Sequence, residues 1–486
     1  MLISLTGCET IIQKKSDVIS DNDYAATSQF YASMIKDDKP ETSILNLFFT
    51  NMPKGGDLHH HYSGSIYAET YLDWVKKKGY RIDPISSKII TNSMTAGVSV
   101  DELLKNDTAY RQLLMRWSDK DFDNHFHNQP PPDVNFFNTF GYFGDISDAY
   151  MDVGLNIIKK RAINENVRYI ESMLTSVGVS ANEMLGEDQF EKANNALKQN
   201  RHNPDEAQKI FSKIYQELTS VSPSAKKYNK KIAEFVLMVE KNHEGIDTEN
   251  FTMRYQTYGV RVRQPAQVFV DLLSGYLAAN ATELIVGVNI VAPENNVVAL
   301  EDYELHMQMF RFFKEKYPNV NRSLHAGELT LGMVRPKDLL FHMTQAIEIA
   351  GAQRIGHGID LPYEKNPLHL LNQLKEKSAV EINLSSNEFI LGVKDNEHPY
   401  LIYSRYGVPM VISTDDSGVS RNNLTSQYVL LATRYKPSYS TIKEYVYNSV
   451  RYSFLTKTEK EKLKQDIDAS FSRFESQMAT LYRTLQ

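Results

Sequence analysis

From about Met52 to the C-terminus, short apolar runs rich in β-branched residues alternate with longer stretches of helical period. That alternation is the signature of a parallel sheet whose strands are joined by crossover helices. The predicted strands are Asp57–His61, Val167–Leu174, Ile232–Glu240, Leu284–Val291, Ser323–Ala326, Arg354–His357, Val380–Leu384 and Pro409–Thr414. Eight strands with intervening helices suit a closed barrel better than an open sheet, so the expected fold is α/β, a (β/α)8 barrel of the TIM type. Residues 9–50 are polar at first and mildly amphipathic from Tyr24 to Phe49, which predicts a tether followed by one or two helices packed on the barrel. Two segments exceed a minimal barrel: about 75–133, broken at Pro130-Pro131-Pro132, and about 186–231, charged and helix-like. The expected organisation is a leader remnant over 1–8, an extension over 9–50 and one barrel domain over 51–486.

Composition narrows this picture. At 486 residues and 42% hydrophobic, the chain can bury one large core. A net charge of -6 argues against a nucleic-acid partner. Nothing approaches the run of ~18 apolar residues that a membrane-spanning helix needs. The single cysteine, Cys8, cannot form an intrachain disulfide. Its place is informative, since it ends Leu5-Thr6-Gly7-Cys8, which resembles the lipobox of a bacterial lipoprotein signal. The basic region and long apolar core of a full signal are lacking, which predicts a true start upstream of Met1. The motif implies a lipid anchor and a place in the bacterial cell envelope, facing the periplasm or the exterior. A cytoplasmic protein with an accidental motif is the alternative.

The candidate chemistry gathers at strand ends: Asp57-Leu58-His59-His60-His61, Leu324-His325-Ala326-Gly327-Glu328, Arg354-Ile355-Gly356-His357-Gly358 and Ser413-Thr414-Asp415-Asp416. In a (β/α)8 barrel, groups at the C-terminal ends of strands share one mouth. Side chains alternate along a strand, so His59 and His61 share a face and can grip one metal ion. A pair of this kind is weak evidence alone. His325 and Asp415 complete a His3Asp set with an open position for water, which zinc would make nucleophilic near neutral pH.

Together with Met52-Pro53-Lys54, these four motifs resemble the adenosine deaminase family of metal-dependent hydrolases, in that family's order from about Met52 onward. The Met-Pro-Lys-Gly-Gly opening and the enlarged segment after the first strand resemble its extracellular, growth-factor-like branch. The resemblance implies one Zn2+ per chain, held by His59, His61, His325 and Asp415, with His61 also beside the substrate. Glu328 would donate a proton to N1 of the purine, a case of general acid catalysis. His357 would orient the attacking water and take part in proton transfer. Asp416 would hydrogen-bond N7. Adenosine, and with it 2′-deoxyadenosine, would become inosine plus ammonia. The extension over 9–50 would be a candidate homodimer contact, as in that branch. Each residue also has a plain structural reading: Glu328 as a helix N-terminal carboxylate, His357 as a packed turn histidine, Asp415-Asp416 as a helix cap.

Two departures bear on the substrate. Where the family places a carboxylate for the ribose 5′-hydroxyl, this chain has Tyr62 and Ser63. The position at which the family has a glycine whose backbone contacts the base falls near Ala292-Pro293 in this chain. Another 6-aminopurine (adenine, a modified adenine or a nucleotide) is therefore the alternative substrate. A two-metal amidohydrolase would need a lysine or bridging carboxylate at the end of the fourth strand, and Leu284–Val291 offers no lysine. Deaminases with cysteine-bound zinc are excluded by the cysteine count, and a nonenzymatic binding protein would be expected to have lost ligands. Among weaker candidates, Phe136, Phe137 and Phe140 are expected to pack in the core, with the apolar wall over the nucleoside that the resemblance implies as the alternative. His243 is read as a mouth or loop residue and Glu171 as a buried acceptor for a metal-bound histidine. Lys226–Lys231 reads as a solvated helix face and Asn387 as a residue that shapes the pocket.

Overall fold

The computed structural model describes residues 6–92, 95–122 and 130–486, with the side chains of 6–20 and Asp145 outside the description. Eight parallel strands form one sheet in sequence order: β1 Gly55–His61, β2 Val167–Met173, β3 Thr252–Val260, β4 Ile285–Val291, β5 Asn321–Ala326, β6 Arg354–His357, β7 Ala379–Ile382 and β8 Met410–Ile412. Strands covered on both faces read as nearly continuous apolar runs, and β4, β7 and β8 do so. The barrel closes between its first and last strands. Asp57 accepts the backbone N–H and hydroxyl of Thr414 at 3.2 and 2.6 Å. Asp415 N–H donates to His59 O at 2.8 Å, and His61 N–H donates to Asp415 O at 3.2 Å. The seam therefore ties two candidate ligand strands together at their C-terminal ends.

One predicted strand is wrong. Residues 232–240 lie inside a helix, Pro223–His243, which starts at the Ser222 cap and proline expected of a helix N-terminus. Its buried residues Ile232, Phe235, Val236 and Val239 are spaced by three and four, the period of a helix face. The third strand is β3, whose apolar run is broken by Arg254, Gln256 and Thr257. Gln256 is buried in the barrel, where it donates to Glu171 at 2.8 Å.

The predicted tether is also helical: α1 spans Thr6–Ile35 and α2 spans Thr42–Asn51. Phe30 of α1 and Phe48 of α2 pack against Tyr482 and Phe474 of the C-terminal helix Lys457–Leu485. Cys8 falls in α1, and residues 1–5 of the predicted leader remnant 1–8 lie outside the described residues. The first surplus segment carries a short antiparallel pair, Arg81–Ile82 with Ile89–Ile90, besides the helix Asp107–Trp117, and the second is helical, with Glu187–Gln199 and Pro204–Thr219. No helix among the described residues is long and apolar enough to cross a membrane.

Candidate active site

His59 and His61 point into the barrel from β1, and His60 points away, its Nδ1 3.0 Å from Ser172 Oγ. His325 stands near the end of β5, and Asp415 follows β8. Asp415 and His357 adopt φ of +61° and +70°. That region is costly for residues with a Cβ and persists where surrounding structure enforces it, typically at functional sites.

The ligand atoms of His59, His61, His325 and Asp415 all lie within 4.8 Å of one another. His61 Nε2 is 3.1 Å from His325 Nε2 and 3.2 Å from Asp415 Oδ1, and His59 Nε2 is 3.3 Å from that same oxygen. Atoms bound tetrahedrally to one ion at ~2.0–2.1 Å stand about 3.3 Å apart, so the spacing fits a single small cation. The far ring nitrogens set the tautomers. His59 Nδ1 lies 2.6 Å from Glu381 Oε2, and His325 Nδ1 lies 3.0 Å from Asn289 Oδ1. Both oxygens only accept, so each Nδ1 carries a proton and each Nε2 turns inward. His59 Nε2 is buried there without a hydrogen bond.

Burial disfavours charge on His59, yet Asp415 and Glu381 outweigh it and lift the ring to about 10. Burial, followed by His59, holds His325 well below its ordinary value. The carboxylates around His59 favour positive charge at the centre of the cluster, which a metal ion would supply in place of the proton on His59. These residues fit a metal.

Above the cluster opens a cavity of about 420 Å³. His61, Ser63, Tyr258, His325, Glu328, His357, Asp415 and Asp416 contribute its polar lining, and His59 is not part of it. Phe136, Phe137, Phe140 and Phe143 form an aromatic wall; Phe136 is also buried in the core and Phe137 and Phe140 pack against it, so the first three serve the core and the cavity at once. Glu328 Oε1 stands 3.6 Å from His357 Nε2. Burial, and after it the charge of Asp415, pushes the Glu328 carboxyl up to about 8. The same two causes drive Asp416 well above the carboxylate range, and its Oδ1 is buried without a hydrogen bond. A Cβ on Gly64 would sit 1.5 Å from that oxygen, so glycine makes room for it.

A relay fixes the His357 ring. Tyr400 N–H donates to His398 Nδ1 at 3.0 Å, which leaves the proton of His398 on Nε2, 3.1 Å from Asn387 Oδ1. Asn387 Nδ2 then donates to His357 Nδ1 at 2.9 Å. The proton of His357 is thereby placed on Nε2, which faces Glu328 and Asp415. Burial holds this ring down at about 3, so it is neutral.

The seven residues singled out in the sequence thus surround one centre. Others fall elsewhere. Glu171 touches no candidate ligand; it pairs with buried Arg354 and accepts from the hydroxyl of Tyr169 at 2.9 Å. The role foreseen for it belongs to Glu381, whose signal was a lone carboxylate inside the apolar run 380–384. Asn289, a polar break in β4, is the second such partner and was also missed. His243 ends its helix 2.9 Å from the Tyr255 hydroxyl and does not line the cavity. Tyr62 is fully buried and donates to Ser147 O at 3.1 Å, so Ser63 alone of that pair faces the cavity. Ala292 and Pro293 do line it, with Ala292 at a φ of +84°.

Comparison with known proteins bears on the family and the fold. Adenosine deaminase of Enterococcus faecalis is 33% identical over 151 residues, 31% of this chain and 41% of that protein. The Clostridium acetobutylicum adenosine deaminase is 27% identical over 206 residues, 42% of this chain and 56% of its own length. The chain thus spans about half or less of the curated relatives it matches. Among solved structures, Arabidopsis N6-mAMP deaminase superposes with a TM-score of 0.54 at 18% identity, covering 87% of this chain and 99% of that one. An amidohydrolase from Burkholderia ambifaria with bound Zn gives 0.53 at 15% identity, covering 90% and 94%. At such identities these two speak for the fold alone. The adenosine deaminase family model matches residues 212–470, more than half of the sequence and inclusive of His325, Glu328, His357, Asp415 and Asp416, and the chain belongs to the adenosine deaminase family.

Proposed function

We propose that the protein is a zinc-dependent hydrolase that converts adenosine, and 2′-deoxyadenosine, to inosine or its deoxy form with release of ammonia. The observation that carries this reading is the meeting of His59, His61, His325 and Asp415 directly beneath a cavity that also presents Glu328, His357 and Asp416. Zinc held by the first four would supply the Lewis acidity that makes water a nucleophile at neutral pH.

The protein's own residues do the rest. Glu328, protonated near neutrality, donates to N1 of the ring and so makes C6 electrophilic. His357 presents its Nε2–H to the attacking oxygen and orients it. Asp416, also protonated, donates to N7, which is an acceptor. The new bond is oxygen to C6 and the broken bond is C6 to the exocyclic nitrogen; of the two protons the attacking water gives up, one completes the ammonia that leaves and the other restores the acid form of Glu328.

The aromatic wall suits a flat heterocycle. No lysine or arginine stands among the described residues lining the cavity, which favours a nucleoside over a nucleotide, unlike the N6-mAMP deaminase that shares the fold. Ser63 offers a hydroxyl where a sugar contact is expected. Ammonia release and the change in purine absorbance, followed with adenosine, 2′-deoxyadenosine, adenine and AMP, test the proposal. Turnover of adenosine supports it; turnover of adenine or AMP alone refutes the substrate, and none at all refutes the reaction.

A further inference from the structure

Glu294 lies just past β4, is fully buried, and has no part in the roles above. Its Oε1 accepts the Gly327 N–H at 3.2 Å and its Oε2 accepts the Glu328 N–H at 2.8 Å. These two amides follow directly on β5, where Gly327 turns at a φ of +74°. Buried backbone N–H groups beyond the ladder require another acceptor, and one carboxylate serves both. Glu294 is itself fixed from behind. His342 Nδ1 is 2.6 Å from Oε1, and Arg261 Nη1 is 3.7 Å from Oε2. The ring of His342 stacks on Tyr303 with centroids 3.7 Å apart. Arg261 is anchored on the Ile290 carbonyl at 3.2 Å. Burial would neutralise Glu294, but His342 and Arg261 outweigh it and hold the carboxylate ionised.

We infer that Glu294 is the positioning residue for Glu328: by binding the two consecutive amides it fixes the turn that aims the Glu328 carboxyl at the cavity, 3.6 Å from His357. The inference rests on the reading of Glu328 as proton donor. A reacting group displaced by about 1 Å can lose 10²-fold in rate, so a pinned turn matters to kcat more than to binding.

Glu294→Gln keeps the side-chain volume but sets an NH2 against one of the two N–H donors. On the zinc-loaded full chain, kcat for adenosine should fall roughly 10²-fold, with KM and metal stoichiometry nearly unchanged. In a Glu328→Gln background the same change should alter the rate by less than about threefold, because positioning acts only through Glu328. A merely structural Glu294 would lower both backgrounds alike, and that result overturns the inference. Amide hydrogen exchange of the segment 324–330 gives a reading independent of activity. It should quicken in Glu294→Gln; exchange as slow as in the wild type overturns the inference whatever the rates. If it quickens while the wild-type protein deaminates no 6-aminopurine, the proposed reaction fails and the pinning of the turn stands. Should Glu294→Gln not fold, His342→Asn loosens Glu294 from behind. A smaller loss in kcat with faster exchange supports the inference, and wild-type values for both overturn it.

Discussion

Replacing Glu381 by Gln removes one charge beneath the site and almost no volume. Glu381 is fully buried, with Oε2 2.6 Å from His59 Nδ1 and Oε1 2.5 Å from Arg354 Nε and 2.8 Å from Ser323 Oγ. Burial would raise its pKa, but Arg354 and His59 outweigh that and hold it at about 2. Two charge-assisted hydrogen bonds are therefore weakened together. At ~1.5–3 kcal/mol each, their loss has a ceiling of about 6 kcal/mol. Glu171 stays on Arg354, and the Gln oxygen still accepts one bond, so the destabilisation should sit near the lower bound, about 3 kcal/mol. Losing the acceptor on a metal-bound imidazole should also weaken metal affinity 10–100-fold, or about 1.4–2.7 kcal/mol. Urea unfolding of metal-free and zinc-saturated protein measures the first effect, and competition with a chromophoric chelator measures the second. A Glu381→Gln protein with wild-type unfolding midpoint and wild-type zinc affinity would refute the reasoning, because it would mean that neither Arg354 nor His59 depends on that charge.

Glu328→Gln should retain one metal per chain and lose on the order of 10²–10⁴-fold in kcat; retention of most activity would remove Glu328 from the mechanism. With Glu328 as proton donor its acid form would be the active one, and burial pushes its carboxyl up to about 8, so kcat/KM should hold steady below that pH and fall as pH rises through it. A rate that climbs above pH 8 contradicts that sign. Gly64→Ala should turn Asp416 out of its place and raise KM for the purine, with metal content unchanged, because the added methyl would overlap Asp416 Oδ1; an unaltered KM would show that Asp416 does not hold the ring. His398→Phe breaks the relay to His357 and should lower kcat at constant metal content, read by steady-state kinetics against metal analysis.

The parts of this arrangement legible in the sequence are those set by local rules. The period of two along β1 put His59 and His61 on one face, and the placing of polar residues at strand ends gathered His325, Glu328, His357, Asp415 and Asp416 at one mouth. What stayed hidden depended on partners distant in the chain. Gln256 and Arg254 broke the apolar run of β3, because their partners Glu171 and Glu459 lie 85 and 205 residues away. The helix face at 232–240 is more apolar than β3 and so imitates the strand in its place. Glu381 and Glu171 are both single carboxylates in apolar strands, and only the folded barrel shows that the first meets His59 and the second Arg354. Phe136, Phe137 and Phe140 have helical spacing, which is the same for a helix facing a filled core and one facing a cavity.

The central claim is that three imidazoles and a carboxylate hold one ion on which hydrolytic deamination depends. Titrating chelator-stripped protein with zinc, while ammonia release from adenosine is followed, tests it most directly. The account predicts no turnover without metal, a linear rise, and a break at one zinc per chain, all abolished in Asp415→Asn. Full activity in the stripped protein, or a break at two zinc ions per chain, would contradict it.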